Sequence, residues 1–250
     1  MRIHAIINTK IWRNKIMKIE IWSDFACPFC YIGKTRFEQA LSEFKHKNQV
    51  EVVYKAYQLN PNAPTKMVKN AYETFAEGHG MTKEQAKQRF DTFTQNAKTV
   101  GLEYRYDIIQ MTNTFDAHRI AKWANKFNKE DEVTARFMKA YFTEGKNLAD
   151  QATLLSLVEE IGLNTQDAKT ILESKDYSDE VYNQIQEARQ IGVQGVPFFV
   201  LNRKYGISGA QQKEYFTQAL EQIWKEENPL EILQDQDDSQ ACDHDECGIE

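Results

Sequence analysis

No stretch of this 250-residue chain approaches the roughly 20 consecutive apolar residues that a membrane-spanning helix needs, so no membrane association is expected. A net positive charge is equally lacking. The formal net charge is −6, and residues 235–250 hold seven acids (Asp235, Asp237, Asp238, Asp243, Asp245, Glu246, Glu250) with no Lys or Arg. Setting those seven aside leaves the body at +1, without the basic face that nucleic-acid binding requires. No export signal is expected at the start of this sequence either. Residues 1–16 contain basic and apolar residues, but Asn8, Thr9, Lys10, Arg13 and Asn14 break any apolar core of about 7–15 residues. Met17 is therefore read as the natural start, and 1–16 as an N-terminal extension. The expected location is cytoplasmic, where thiols are kept reduced. There a C-x-x-C pair, two of only four cysteines in the chain, is expected to serve catalysis or metal binding rather than stapling.

What is present is concentrated at Cys27-Pro28-Phe29-Cys30. An alternating apolar segment, Ile19 to Phe25, precedes it and a helix-like segment follows. Two thiols at this spacing, where a strand runs into a helix, are how a thiol–disulfide exchange site begins. Cys27 would take the N-cap, facing unpaired backbone N–H groups and the positive end of the helix dipole. Pro28 would take the first helical position, where its missing N–H costs nothing. Cys30 follows one turn in, close enough to close a ring with Cys27.

Phe29, Ile32, Phe37, Ala40, Leu41 and Phe44 recur at helical spacing, which predicts a helix to about Lys47. Residues 50–57 read as a second strand, parallel to the first through a right-handed crossover. From about Tyr72 to Gln190 the pattern is almost wholly helical. Thr82-Lys83-Glu84-Gln85 has the capping-box form; further helices fit 114–127, 131–143, 151–161, 166–173 and 178–191. Gly145, Gly162 and Gly192 follow three of these as stops. Strand signal returns at 197–201 and 205–209, and a last helix fits 210–226. The expected fold class is α/β: β-α-β and β-β-α halves with a large all-helical domain inserted between them. The expected boundaries are 17–64 with 192–230 for the α/β domain, 65–191 for the insertion and 231–250 for an acidic, cysteine-containing tail.

Gly195-Val196-Pro197-Phe198-Phe199-Val200 places a proline at the head of an apolar strand, where no ladder donor is needed. Together with Trp22-Ser23-Asp24-Phe25-Ala26-Cys27-Pro28-Phe29-Cys30-Tyr31-Ile32-Gly33, Asn113-Thr114 and Ala117-His118-Arg119, it resembles the DsbA family of thioredoxin-fold oxidoreductases, in its FrnE-like branch. The resemblance runs over about residues 17–226. It implies a thioredoxin fold and a cis bond at Val196-Pro197 packed against the dithiol, turning the Val196 backbone toward an extended substrate. It also implies protein dithiols or disulfides as substrates, with Cys27 as nucleophile and Cys30 as resolving thiol. One position departs from the family's prototype oxidant, which has His where this chain has Phe29. Without that charge the reduced form is less stabilised, which points to a moderate reductant or an isomerase. No cofactor is expected beyond the redox-active disulfide itself. A recycling thiol reductant or oxidant is the expected partner, and the chain is expected to be a monomer or a homodimer.

Other readings stay open at this stage. Cys27 and Cys30 have zinc spacing. The tail pair Cys242 and Cys247 suits a second redox pair, an incidental solvated tail or metal binding, and the first is preferred. Asn113, His118 and Arg119 could line a cleft for a peptide or glutathione carboxylate, or could be structural. The same inserted-helix layout resembles glutathione-dependent transferases and isomerases of small electrophiles, which carry Ser in place of Cys27 and would make glutathione a co-substrate. A non-catalytic redox-sensing or zinc-binding protein is the remaining alternative.

Overall fold

A computed structural model describes residues 16–229 of the chain. Nearly all of the extension 1–16 and the whole of the tail 231–250, with Cys242 and Cys247, lie outside the described residues. Four strands form one sheet in the order β2-β1-β3-β4: β1 Met17–Ser23, β2 Val50–Ala56, β3 Phe198–Leu201 and β4 Tyr205–Ser208. β1 and β2 run parallel through the crossover helix α1 (Pro28–Glu43). β3 pairs antiparallel to β1, with Ile21 opposite Phe199 and Trp22 opposite Phe198, and β4 antiparallel to β3. Between β2 and β3 lie α2 Ala71–His79, α3 Lys83–Lys98, α4 Phe115–Ala124, α5 Glu130–Phe142, α6 Gln151–Glu160, α7 Thr165–Glu173 and α8 Ser178–Gln190; α9 Lys213–Glu227 follows β4. This is the thioredoxin fold with a large helical insertion. No helix among the described residues is long and apolar enough to cross a membrane.

β1 is central, so both of its faces are covered. Ile19 and Ile21 face α1 and α9, where Phe37, Phe199 and Phe216 meet with ring centroids 4.7–5.7 Å apart. On the other face the Trp22 indole N–H donates to the Gln184 carbonyl of α8 (2.9 Å), and buried Glu20 is compensated by Lys55 and Arg203. A second core fills the helical insertion, built on residues such as Ile120, Phe137, Tyr141 and Leu157. Phe25, Cys27, Cys30 and Ile32 belong to this second core rather than to the sheet's own. The dithiol is thus clamped between the two parts of the molecule.

The Thr82 capping box forms as expected, and Gly145, Gly162 and Gly192 take left-handed φ values of 64°, 73° and 81°. α1 stops at Glu43, short of the expected Lys47. Phe44 turns out of the helix, and His46 stacks on Trp224 at 3.9 Å, a tertiary contact that outweighs local helix propensity. Residues 102–114 are irregular, interrupting the expected helical run after Gly101 (φ 79°). That segment carries Tyr104 to the redox turn.

Candidate redox site

The chain leaves β1 through a turn in which the Cys27 N–H donates to the Asp24 carbonyl (3.1 Å). Cys27 is the extended N-cap of α1 (φ −90°, ψ 114°), and Pro28 is the first helical residue. The Cys30 N–H then donates to the Cys27 carbonyl (3.0 Å). The first turn contains no acidic residue, so nothing in it opposes negative charge at the helix N-terminus. Across from it the Val196–Pro197 peptide bond is cis. The Cys27 thiol donates to the Val196 carbonyl (3.4 Å). Gly33 lets the proline in: a Cβ there would lie 2.9 Å from Pro197 Cγ.

Both cysteines are free thiols and both are buried, at 3% and 1% exposure for Cys27 and Cys30. Burial, foremost, pushes the Cys30 thiol well up, and the hydrogen bond and charge of Cys27 push it further; the Ser23 side chain and the Asp24 backbone offset this in part. Cys30 therefore remains a protonated donor beside Cys27.

Asp24 anchors the turn. Its carboxylate accepts from the Thr114 hydroxyl (2.8 Å), the Leu59 N–H (2.7 Å) and the Ala26 N–H (3.3 Å). Three segments distant in sequence thus converge beneath the dithiol. From the irregular segment, the Tyr104 hydroxyl donates to the Pro28 carbonyl (2.7 Å), between the two cysteines. Burial holds that phenol far above its ordinary range, so it acts as a donor. Phe29 is 38% exposed and rests edge-on against Phe93 (5.2 Å). Asp24, Gly33 and Tyr104 had no role assigned from sequence, because nothing local to them signals these long-range contacts.

The structure does not gather Asn113, His118 and Arg119 into one cleft. Arg119 is buried, and its guanidinium donates to the Ile171, Ser174 and Asp176 carbonyls at the end of α7 and to Asp116. It closes a helix C-terminus. His118 is buried beneath the turn, with Nε2 3.5 Å from Asp24 Oδ1 and its ring 4.7 Å from Phe25. The Asn113 side chain ties the loop after β2, donating to the Pro61 carbonyl (2.9 Å) and accepting from Gln58 (3.0 Å). Among the described residues no three of His, Cys, Asp and Glu converge to hold a metal ion. A metal on Cys27 and Cys30 would need ligands from outside them.

Comparison with known proteins agrees with this geometry. The model of the DSBA-like thioredoxin domain family matches residues 18–221. YwbO, an uncharacterized protein of Bacillus subtilis (strain 168), is 28% identical over 204 residues, covering 81% of this chain and 94% of that protein. The crystal structure of a probable DsbA oxidoreductase from Streptomyces coelicolor is 38% identical, with a TM-score of 0.78 over 93% of this chain and 99% of that one. A 2-hydroxychromene-2-carboxylate isomerase has the same fold at a TM-score of 0.66 and 14% identity, over 84% of this chain and 97% of that one.

Proposed function

The chain belongs to the DSBA-like thioredoxin domain family, and on that premise we propose that it is a thiol–disulfide oxidoreductase or isomerase acting on protein dithiols and disulfides. One observation carries the reading. Cys27 stands at a helix N-terminus against the Val196 carbonyl, with the deeper thiol of Cys30 held protonated beside it.

In the reducing direction the Cys27 thiolate attacks one sulfur of a substrate disulfide, and the other sulfur leaves as a thiolate that takes up a proton. Cys30 gives up its proton and attacks the Cys27 sulfur of the mixed disulfide. The Cys27–Cys30 disulfide forms, the second substrate sulfur leaves, and two electrons have passed to the substrate. The same steps in reverse oxidise a substrate dithiol. Phe29 offers Cys27 neither charge nor hydrogen-bond donor, which favours reduction or isomerisation over strong oxidation. A cytoplasmic setting favours the same direction, with a thiol reductant, glutathione among them, returning the two electrons. Cys242 and Cys247 are assigned here to an internal relay for those electrons. The potential of Cys27/Cys30, measured with and without that pair, tests the assignment.

The overall reading is tested by insulin reduction under thiol recycling. Wild-type protein should turn over, Cys27→Ser should be inactive, and Cys30→Ser should stall as a mixed disulfide within its first cycle. The isomerase of the same fold motivates the rival reading, glutathione-dependent chemistry on small electrophiles. Survival of such chemistry in Cys30→Ser, with no insulin reduction by the wild type, would favour the rival.

A further inference from the structure

Arg36 is the one unpaired cation among the four that are buried in the described residues. The other three have carboxylate partners: Lys34 has Glu38 and Asp131, Arg119 has Asp116, and Lys122 has Glu130. Arg36 is 8% exposed and makes no ion pair with a carboxylate of the described residues. Nη1 donates to the Ala210 carbonyl (2.7 Å) and Nη2 to the Thr99 hydroxyl (3.3 Å). Those two bonds use two of the five N–H groups of a guanidinium. Both acceptors are neutral, so the charge remains uncompensated where water screens it poorly.

That charge opens onto a groove that begins at the redox site. Phe29 and Val196 are among its lining residues, together with Arg36, Asn96, Ala210 and Gln212, and no acidic side chain of the described residues lines it. Val196 is the residue whose carbonyl meets the Cys27 thiol. Arg36 lies nine residues along the chain from Cys27, about 13 Å at 1.5 Å per residue, and a long helical side chain leans back toward the N-terminus, which shortens the gap to about 10 Å. An extended peptide covers that distance in about three residues.

We propose that Arg36 makes this groove a carboxylate subsite, so that the preferred substrate carries an acidic group within about three residues of its reactive sulfur. The inference rests on the redox function proposed above and adds the chemistry of its substrate. An acidic side chain of a protein or a carboxylate of glutathione would both satisfy it. The bond expected is a charge-assisted fork to the free guanidinium N–H groups.

The test uses the full-length protein and quenched peptide disulfides identical except for Glu, Gln or Lys three residues from the cysteine. Oxidised glutathione and its fully amidated derivative form the small-molecule arm. We expect kcat/KM for the Glu peptide to exceed that for Gln about tenfold, with Lys below Gln and the Glu advantage shrinking in about 0.5 M salt. A matching preference in the glutathione arm would identify the small thiol as a user of the same subsite; a preference confined to peptides would identify proteins. Arg36→Gln should bring the Glu-to-Gln ratio to about one, and Arg36→Lys should retain most of it. A ratio near one in wild type, or an undiminished ratio in folded Arg36→Gln, overturns the subsite. Should Arg36→Gln fail to fold, a wild-type ratio indifferent to salt overturns it equally. A folded wild type that turns over no disulfide at all overturns the redox reading instead.

Discussion

Gly33 and Pro197 are packed so closely that a single added methyl group would not fit between them. A Cβ on Gly33 would sit 2.9 Å from Pro197 Cγ and 3.4 Å from the Ala210 Cα, one contact with a rigid ring and the other with backbone. In an open helix Gly→Ala stabilises by about 1 kcal/mol. Here overpacking outweighs that gain. Gly33→Ala is expected to be destabilised by about 1–3 kcal/mol and to lose turnover, because the displaced loop carries the Val196 carbonyl that meets Cys27. Calorimetry alongside insulin reduction checks both; a raised Tm with full activity would contradict the packing argument.

Asp24 holds the turn from below. Asp24→Ala leaves the Thr114 hydroxyl and the Leu59 N–H without their acceptor, at a cost of about 3 kcal/mol. Thr114→Val removes one of those bonds and should cost about 1.5 kcal/mol. In a double-mutant cycle the two losses should fall short of additive by about 1 kcal/mol. Strict additivity in urea melts would mean that the bond contributes nothing.

Stability should depend on pH differently in the two redox forms. Burial and Cys27 together hold the folded Cys30 thiol well above its ordinary value. The folded dithiol therefore keeps a proton that the unfolded chain gives up near pH 8.5. This contribution is complete below that pH and declines as pH rises toward the folded value. The Cys27–Cys30 disulfide form has no Cys30 thiol and no such term. Tyr104, Tyr106 and Tyr141 are also raised by burial, but they act above about pH 10 and in both forms. From pH 7.5 to 9.5 the Tm of the dithiol should fall relative to the disulfide. A constant difference would contradict the burial of Cys30.

The site was legible where its chemistry is local. Cys27, Pro28 and Cys30 lie within one turn of chain, and the Val196-Pro197 pair heads a strand whose apolar run marks it. Partners reaching across the fold left no such mark. Asp24 meets Thr114 from 90 residues away and Tyr104 meets Pro28 from 76; no periodicity encodes either. The end of α1 falls short of its helical pattern for the same reason, since Trp224 draws His46 out of line from the far end of the chain. Arg119 looked like a ligand-binding residue because sequence shows a charge and not the carbonyls that surround it.

Arg119 should behave as a structural residue. Arg119→Ala uncovers three carbonyls at the end of α7 and should cost about 3 kcal/mol. Arg119→Lys keeps the charge but not the planar fork, and should recover only part of the loss. Neither variant should change the preference between acidic and neutral peptides. A shift in KM without a shift in Tm would return Arg119 to a substrate cleft.

Tyr104 ties the helical insertion to the redox turn through one hydroxyl, and Tyr104→Phe isolates that bond. The ring should stay in place, because it stacks on Phe142 at 4.5 Å and lies in the insertion's core. What disappears is the second donor to the Pro28 carbonyl, a part-buried acceptor that keeps its intrahelical N–H partner at the start of α1. The expected cost is that of one net hydrogen bond, about 1 kcal/mol. It should appear as a lower urea midpoint at unchanged m-value, since the surface exposed on unfolding stays the same. A lower m-value would mean instead that the 102–114 segment undocks from the dithiol, and that the hydroxyl holds the two parts of the molecule together rather than only completing a buried contact.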